Sequence, residues 1–303
     1  MGTPLTAVPI LKSLIDDKEI NVRLVVCQPD KPKGRGNKLT PPPVKEIAVE
    51  HNIEVFQPEK LKNNLDALNK LKSYDVDFLV VVAYGKILPK EVLDIPRKAP
   101  VNVHYSLLPK YRGAAPVNWA IINGETETGV TTMLMDEGLD TGDILLVEKT
   151  RIDRKNSEQL LVELSDIGAQ LLLKTLKEFD KIKPIKQDDS LASYAPIIKK
   201  DEGLINWNSD ADYIERTIRG FYPWPSAFTK LNGLTFKIFD AEIVTDNPDV
   251  EPGTVYEVTR DFMLVKCGNY SLKLKEVQLE GKKRMDVKSF LAGYKVEKGI
   301  VLG

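Results

Sequence analysis

The chain has 303 residues, of which 42% are hydrophobic and 29% are charged, so its length allows two domains and its composition is typical of globular proteins. The formal net charge of −1 gives no global field that would attract a nucleic acid, and no apolar run approaches the ~20 residues of a membrane-spanning helix. We also expect no signal peptide and, since the two cysteines Cys27 and Cys267 stand far apart, no disulfide framework or structural zinc site. These features predict a cytoplasmic protein that does not associate with a membrane.

The first part of the chain alternates between strand and helix patterns. Short apolar runs predict strands at 21–27, 75–85, 99–104, 129–136 and 144–152. Helical spacing predicts helices at 44–50 and 157–179, with Asn156 or Ser157 capping the second. This alternation predicts an open α/β domain, and the nearly continuous apolar run at 75–85 is typical of a strand in a parallel sheet.

The pattern changes after residue 182. Residues 183–206 have little periodicity and predict a linker, and a short helix is predicted at 211–219. Short alternating segments separated by Gly and Asn then predict strands at 235–243, 253–258, 262–268 and 270–279. We therefore predict an α/β domain at 1–182, a linker at 183–206 and a small barrel or sandwich at 207–303.

The predicted strand at 99–104 ends in two polar side chains. Asn102 and His104 stand at i and i+2, so both point to the same face of the strand. Ligands bind at the carboxyl ends of strands in open α/β sheets, and this position therefore favours a functional site. Position in a fold is a weak indicator of function, so a histidine that is simply hydrogen-bonded at a strand end remains the alternative. His51, the other histidine, is expected on the surface.

An acidic turn with the sequence MDEGLDTGD follows the next predicted strand. Gly138 and Gly142 flank Asp140, so the backbone can approach a ligand closely or adopt a positive φ. The spacing of the acids does not match a calcium loop, and a solvated turn remains the alternative. A carboxylate that met His104 would fix the tautomer and the orientation of the imidazole.

These three groups together favour direct acyl-type transfer, because an amide, an imidazole and a carboxylate occur without a serine or cysteine nucleophile. The amide and an imidazolium would hold a developing oxyanion, and the carboxylate would manage protons. Ser106 is not assigned as a nucleophile, since its surroundings do not resemble the Gly-x-Ser-x-Gly elbow.

Two basic clusters stand out in a chain with balanced charge. The first has four cations within eight residues, at Lys31, Lys33, Arg35 and Lys38, and the second consists of Lys282, Lys283 and Arg284. The first cluster contains two glycines, and its cations suit phosphates and unstacked bases. A solvated surface loop remains the alternative for each cluster.

Eight stretches of the chain carry a resemblance to a known family. They are MGTP, QPDKPKGRGNKLTPPPVK, FQPEKL, VVVAYGKILP, NVHYSLLPKYRGAAPVNWAIINGETETGVT, MDEGLDTGD, IRGFYPWPSA and EGKKRM, and they span almost the whole sequence. The chain resembles the methionyl-tRNA formyltransferase family. The Asn-x-His pair with an Asp 36 residues beyond the histidine is shared by the wider folate-dependent formyltransferases, whereas the two basic segments point to the tRNA enzymes within that group.

The resemblance implies a Rossmann-like catalytic domain followed by an OB-like barrel. It implies transfer of the formyl group of 10-formyltetrahydrofolate to the amino group of methionine on initiator Met-tRNA, for translation initiation, by a monomer that needs no metal. Carried over to this sequence, Asn102 and His104 stabilise the tetrahedral oxyanion, and Asp140 orients the histidine and relays protons.

The resemblance also implies two sets of binding residues. The folate site would be formed by Ser106, Leu107, Leu108 and Pro109 together with the backbone of Tyr84, Gly85, Lys86, Ile87 and Leu88. Arg35 matches an arginine that enters the tRNA near its acceptor end. The other expected tRNA contacts are Lys31, Lys33, Lys38, Lys282, Lys283 and Arg284.

The sequence departs from the family at a few positions. Leu5 and Thr6 stand where an acid and Phe are common, and Tyr105 replaces a small residue or Pro directly beside His104. Tyr105 either reshapes the pocket wall or points away from it. Trp207 and Trp224 could stack on bases, but we expect both to pack against the barrel.

Three other functions remain to be weighed. A formyltransferase acting on an amino sugar or small amine is the nearest, and the basic segments and the barrel argue against it. A catalytically silent RNA-binding protein is disfavoured by the intact Asn102, His104 and Asp140. A dinucleotide-dependent oxidoreductase is disfavoured because no Gly-x-Gly-x-x-Gly follows a first strand.

The segment MGTPLTAVP predicts the turn after a first strand and the entry to the first helix. In a doubly wound sheet with strand order 3-2-1-4-5, the first strand lies between strands 2 and 4. We therefore expect a gap in the sheet at this place, and a short apolar strand that precedes Met1 in the natural protein.

Overall fold

The structure is a computed structural model that describes residues 1–33 and 38–303, and of Lys33 only the backbone. The chain forms two compact units. The first unit consists of Met1–Pro116, Thr128–Thr150 and Leu161–Ala195. The second unit consists of Val117–Glu127, Arg151–Leu160 and Pro196–Gly303. Within the described residues, no helix combines the length and the apolar character needed to cross a membrane.

The elements up to residue 195 are short strands that alternate with helices. The strands are β1 Val25–Val26, β2 Lys31–Lys33, β3 Lys38–Thr40, β4 Val55–Phe56, β5 Phe78–Val81, β6 Ala99–His104, β7 Arg112–Gly113, β8 Glu127–Leu134, β9 Ile144–Arg151 and β10 Tyr194–Ala195. The helices are α1 Val8–Asp16, α2 Pro43–Glu50, α3 Leu65–Lys72, α4 Lys90–Leu93, α5 Pro116–Ile122 and α6 Ser157–Glu178. The predicted α/β alternation is thus confirmed, although β1 and β5 are shorter than their apolar runs.

The central sheet of the first unit follows a doubly wound order. β1 pairs with β4 and β5 pairs with β6, both in parallel. The backbone at Met1 and Gly2 joins the two pairs, since Gly2 N donates to Val26 O at 3.0 Å and Val82 N donates to Met1 O at 2.9 Å. On the other side, β8 pairs with β6 in antiparallel orientation and β9 pairs with β8. The sheet is therefore mixed, whereas a parallel sheet was predicted.

A cavity of about 670 Å³ lies beside Met1, between the segments that lead into β1 and β5. Its walls include residues 22–25 and 76–80, together with Leu14 and Leu176. The Met1 amino group donates to Val80 O at 2.5 Å, and burial lowers its pKa to about 5. The cavity therefore lies next to the buried amino terminus, on the side of the sheet where β1 and β5 begin.

α6 packs against the face of β6 that is opposite to Asn102 and His104. Val101 and Val103 are buried, and Gly168 of α6 allows Val103 to approach, because a Cβ at Gly168 would lie 3.2 Å from Val103 Cγ1. Tyr105 packs against the same glycine, and its hydroxyl donates to Thr6 O at 2.8 Å. Tyr105 therefore shares the face of Val103 and points away from the face that carries Asn102 and His104.

The second unit is built on an antiparallel sheet. Its later elements are α7 Ala211–Gly220, β11 Ala227–Leu231, β12 Leu234–Val244, β13 Val255–Val258, β14 Met263–Lys266, β15 Ser271–Leu279, β16 Met285–Asp286 and α8 Val287–Gly293. The strand order is β11-β12-β15-β14-β13, with β16 also paired to β15. The pairings between described residues do not close this sheet into a barrel.

Two local features of the second unit differ from expectation. β11 was not predicted, although Asn232-Gly233 joins it to β12 with positive φ at both positions, the geometry of a tight hairpin turn. Trp207 is buried as predicted and donates to Thr229 Oγ1 at 3.1 Å. The expected packing of Trp224 was wrong, since 57% of this residue is exposed.

Candidate active site

β6 delivers Asn102 and His104 to the carboxyl edge of the sheet. The alternation that buries Val101 and Val103 against α6 turns Asn102 and His104 to the opposite face, where both are more than nine-tenths buried. Val81 pairs with Asn102 across β5 and β6, so the segment that follows β5 leaves the sheet at the same edge. The predicted placement of these side chains at a strand end is confirmed.

His104 has one close partner and one more distant partner. Nε2 lies 2.9 Å from Tyr111 O, and Nδ1 lies 3.6 Å from Asp140 Oδ2. A carbonyl oxygen only accepts hydrogen bonds, so Nε2 carries a proton and Nδ1 is the ring nitrogen that faces the carboxylate. At 3.6 Å the imidazole and the carboxylate lie close together but beyond the length of a hydrogen bond.

The Asp140 carboxylate lies between the backbone and two polar side chains. Oδ2 accepts from Gly113 N at 2.8 Å, and Oδ1 lies 3.4 Å from the Asn102 amide nitrogen, the length of a weak hydrogen bond. Asp140 has a φ of 54°, a left-handed conformation that is uncommon for a residue with a side chain. Such conformations are concentrated at functional sites, where the surrounding contacts hold them.

The turn that contains Tyr111, Arg112 and Gly113 supplies the backbone partners of both groups. Tyr111 O binds His104 and Gly113 N binds Asp140, so one turn fixes the relative position of the imidazole and the carboxylate. β7 in this turn pairs with β10, and a Cβ at Gly113 would lie 2.7 Å from Ala195 O. With a φ of 118° as well, the position requires glycine.

Two buried polar residues of the site were missed by the sequence analysis. Gln187 Nε2 donates to the backbone oxygens of Asp140 and Gly142 at 2.8 and 2.7 Å. Gln187 Oε1 accepts from Arg112 Nε and Nη2 at 3.0 and 2.8 Å. Gln187 falls in the segment predicted as a linker, where no pattern marks it, and Arg112 was read only as part of a turn.

The expected folate residues divide into buried and accessible groups. Ser106, Leu108, Tyr84 and Leu88 are buried, whereas Leu107, Pro109, Gly85, Lys86 and Ile87 are at least partly accessible. Tyr84 O accepts from Thr3 Oγ1 and Gln28 Nε2, both at 3.1 Å, so this carbonyl already has protein partners. The accessible loop backbone is therefore at Gly85, Lys86 and Ile87.

Three cations of the first basic cluster, Lys31, Lys33 and Lys38, lie on the paired strands β2 and β3. Lys31 pairs with Thr40 and Lys33 pairs with Lys38, and the side chains of Lys31 and Lys38 are exposed. The prediction of a loop is thus corrected in part, because strand pairing fixes both arms of the segment. Arg35 lies outside the described residues.

The second basic cluster follows β15. Lys282 and Lys283 are exposed, but the Arg284 guanidinium is 4.3 Å from the Phe239 ring centroid, donates to Tyr222 Oη at 2.9 Å and pairs with Glu276. The Glu276 carboxylate raises the pKa of Arg284 above its ordinary value. All of these contacts are made within the second unit, and Arg284 is itself exposed.

Comparison with known proteins assigns the chain to a family. Residues 1–176 match the family described as formyl transferase, and residues 197–295 match the formyl transferase C-terminal domain. The chain belongs to the formyl transferase family. Within this family, a methionyl-tRNA formyltransferase from Clostridium acetobutylicum is 50% identical and covers 100% of this chain and 98% of its own length. A methionyl-tRNA formyltransferase from Geobacter metallireducens is 48% identical and covers 100% and 97%.

A solved formyltransferase shares the fold. The N-formyltransferase from Helicobacter canadensis, in complex with folinic acid and dTDP-3-aminofucose, aligns with a TM-score of 0.68 over 90% of this chain and 96% of its own. At 19% identity this likeness concerns the fold alone. Across residues 1–33 and 38–303, no group of three or more His, Cys, Asp and Glu side chains is placed to hold a metal ion.

Proposed function

We propose that this protein transfers the formyl group of 10-formyltetrahydrofolate to the amino group of methionine on initiator Met-tRNA. The observation that carries the proposal is the Asp140 carboxylate, which lies 3.4 Å from the Asn102 amide nitrogen and 3.6 Å from the His104 imidazole. Relatives named methionyl-tRNA formyltransferase are 48–50% identical over the full chain. Their names are the basis for proposing Met-tRNA as the acceptor substrate. Such formylation of Met-tRNA belongs to translation initiation.

The Asn102 amide and the His104 imidazole are the proposed oxyanion donors. The amide has two N–H groups and one points toward Asp140, so the second can donate to the carbonyl oxygen of the formyl group. His104 Nδ1, when protonated, can donate to the same oxygen, because Tyr111 O already fixes Nε2. Both donors stand in a largely buried position, where an oxyanion is stabilised more strongly than in water.

Asp140 is the proposed proton carrier. Gly113 N holds Oδ2, so the carboxylate stays beside His104 while its side chain remains 15% exposed and open to water. The methionine amine must lose a proton as it attacks, and the nitrogen that releases the formyl group must gain one. Asp140 can take the first proton and return it, through water or through His104.

The proposed folate site lies along the edge that β5 and β6 share. 10-Formyltetrahydrofolate supplies the formyl group when bound. The exposed backbone at Gly85, Lys86 and Ile87 offers N–H and C=O groups to a pterin, and Leu107 and Pro109 offer apolar surface. Buried Ser106 supports this wall, since its hydroxyl donates to Lys110 O at 2.7 Å and its carbonyl accepts from Thr131 Oγ1.

The proposed tRNA contacts are the two basic clusters. Exposed Lys31 and Lys38, with Lys33 and Arg35, form the first, and exposed Lys282 and Lys283 form the second. Phosphate contacts by such cations make affinity fall with salt. Arg284, which is also exposed, completes the second cluster, and its guanidinium contacts Glu276 and the rings of Tyr222 and Phe239.

We further propose the domain arrangement implied by the resemblance. A Rossmann-like catalytic domain would comprise residues 1–182, a linker residues 183–206 and an OB-like tRNA-binding domain residues 207–303. The protein would act as a cytoplasmic monomer without a metal. The antiparallel order β11-β12-β15-β14-β13 supports a β-rich binding module, and its open path is compatible with the partly open form of OB folds.

A comparison of acceptors tests the proposed function. Purified protein with 10-formyltetrahydrofolate is offered charged initiator tRNA, charged elongator Met-tRNA and a dTDP-linked amino sugar. We expect formylation of the initiator tRNA in clear preference to both others. Formylation of the sugar nucleotide without formylation of either tRNA would instead favour an amino-sugar enzyme.

A further inference from the structure

The Asp140 turn between β8 and β9 depends on contacts outside itself. Asp136 Oδ1 accepts from Gly138 N and Thr141 Oγ1 at 3.0 and 2.7 Å, which organises the first half of the turn. The second half contains Asp140, whose positive φ costs conformational energy. Gly142 follows, and a Cβ there would lie 1.9 Å from Leu134 O. Contacts to the backbone carbonyls of this second half would help to hold Asp140 in its positive-φ conformation.

Gln187 supplies such contacts from a remote segment. Its amide nitrogen has two N–H groups, and it donates to both Asp140 O and Gly142 O, the two carbonyls around the strained position. The residue is 6% exposed, so loss of these bonds would leave buried carbonyls without a donor. The side chain cannot be replaced by another type of equal length without reversing or removing a donor.

The other end of Gln187 connects to the turn that holds His104. Arg112 is 2% exposed and donates twice to Gln187 Oε1, while Asp189 Oδ1 accepts from its Nη2 at 2.9 Å. Arg112 stands between Tyr111, which binds His104, and Gly113, which binds the Asp140 carboxylate. The Gln187 side chain thus links the backbone of Asp140 to the turn that receives its carboxylate.

We propose that Gln187 is a positioning residue for formyl transfer, because it holds the Asp140 backbone and the Arg112 turn in the register that brings the carboxylate to His104 and Asn102. Gln187 touches no reacting group in this arrangement. It acts through Asp140, and Arg112 acts with it by fixing the direction of its amide. This inference rests on the proposed function of the site.

Gln187→Glu separates the two ends of the contact. One carboxylate oxygen keeps the acceptor for Arg112, but the other replaces the nitrogen and its two N–H donors and faces the carbonyls of Asp140 and Gly142. We expect kcat to fall about 10- to 100-fold, the effect of a displacement on the order of 1 Å at the reacting groups. The KM for Met-tRNA and the affinity for folinic acid should stay within about twofold of the unmodified protein.

Two comparisons distinguish positioning from general stability. Asp189→Asn removes the charge of the exposed partner of Arg112 without touching the Asp140 turn, and it should leave kcat unchanged. In an Asp140→Ala background, Gln187→Glu should lower kcat no further, because its effect passes through Asp140. If Gln187→Glu does not fold, Gln187→Asn, which withdraws the amide by one methylene, should show the same dependence on Asp140.

The inference is overturned if Gln187→Glu keeps the kcat of the unmodified protein, or if it lowers kcat by the same factor with and without Asp140. Failure of the proposed function gives a different result. In that case the unmodified protein itself neither binds folinic acid nor formylates Met-tRNA.

Discussion

At the scale of single residues, the site is held together by backbone groups as much as by side chains. His104 is fixed by Tyr111 O and Asp140 by Gly113 N, and the partners are two residues apart in one turn. Tyr111 has a φ of 60° and Gly113 a φ of 118°, so this turn concentrates uncommon backbone conformations next to the polar groups. Preorganised groups of this kind need little rearrangement during the reaction.

The two histidines allow a matched test of the oxyanion donors. His104→Ala removes a buried ring that faces Asp140, whereas His51→Ala removes an exposed ring at the end of α2. We expect His104→Ala to lower kcat on the order of 10²–10³-fold, the loss typical of one oxyanion donor. His51→Ala should leave kcat and the melting temperature unchanged. Steady-state formylation of Met-tRNA gives kcat for each variant, and a thermal melt gives the melting temperature. Equal kcat values for the two variants would contradict the assignment of His104.

The residue pattern placed Asn102 and His104 on one face of a strand and the family resemblance singled out Asp140, but neither pointed to Gln187. Strand alternation puts the first two on one face, and glycines mark the turn that carries Asp140. The Gln187 contact spans 47 residues and joins a side chain to backbone oxygens, so no local pattern encodes it. The hydrogen bond between His104 and Tyr111 O could not be predicted either, since the sequence does not indicate which backbone carbonyl a histidine contacts.

At the scale of elements, the paired strands β2 and β3 carry Lys31, Lys33 and Lys38 of the first basic cluster. Its strands are set by three residue pairs, from Lys31 with Thr40 to Lys33 with Lys38. Cations on two paired strands stay close together, which favours contact with neighbouring phosphates. Sequence analysis identified the charge but not the pairing, because glycines and a proline argued for a loop.

Replacement of the cations of the first basic cluster should flatten the salt dependence of tRNA binding. With Lys31, Lys33, Arg35 and Lys38 all changed to Ala, the log–log slope of affinity against salt should fall by about 3 to 4 if each cation meets one phosphate. The control replaces the same number of exposed lysines elsewhere, at Lys60, Lys62, Lys72 and Lys183. Filter binding over a salt series measures the slopes, and equal slopes for the two variants would show a solvated cluster.

The cavity beside Met1 lies between the backbone segments that lead into β1 and β5. The segments before β1 and β5 face each other across about 670 Å³, and Met1 and Gly2 already bond to both sides. Backbone N–H and C=O groups of a strand placed in this cavity could pair with both segments.

An added strand should therefore stabilise the first unit. Five apolar residues joined to Met1 would extend the backbone between β1 and β5, pair with both and replace the buried ammonium with an amide. We expect the melting temperature to rise by several degrees, as for a gain of about 1–3 kcal/mol. Five Gly and Ser residues at the same place are the control. A rise that is equal for both extensions, or absent, would contradict the fit of a strand.

At the scale of the whole molecule, each unit buries one thiol. Burial raises the pKa of Cys27 to about 11 and that of Cys267 to about 12, from an ordinary value of 9.0. Between these values an unfolded chain ionises a thiol that the folded chain keeps neutral. Each thiol therefore stabilises the folded state fully below about pH 9, and this stabilisation is lost as the pH rises.

The two thiols should contribute separately to the loss of folding stability at alkaline pH. Each contributes a slope of up to about 1.4 kcal/mol per pH unit to the free energy of unfolding. In thermal melts from pH 8 to pH 11, Cys27→Ala and Cys267→Ala should each show a shallower decline than the unmodified protein. The melting temperature of each variant at pH 8 is the control for the packing that the substitution removes. If the melting temperatures of the variants and of the unmodified protein decline in parallel as the pH rises, the raised pKa values are contradicted.

The change of pattern after residue 182 predicted two domains that follow each other along the chain, whereas the second unit also includes Val117–Glu127 and Arg151–Leu160. Alternation of strands and helices gave way to short alternating strands, and the second unit indeed contains an antiparallel sheet. Whether that sheet closes could not be predicted, because closure depends on pairing between distant edges. β11 escaped notice because its turn signal, Asn232-Gly233, was read as a separator.

The most direct test of the account is single-turnover formyl transfer to charged initiator tRNA by the unmodified protein and by Asp140→Ala, with folinic acid binding measured on both. We predict that the unmodified protein formylates the methionine, and that Asp140→Ala slows this step at least 10²-fold while still binding folinic acid. Formylation at the same rate by Asp140→Ala, or no formylation by the unmodified protein, would contradict the account.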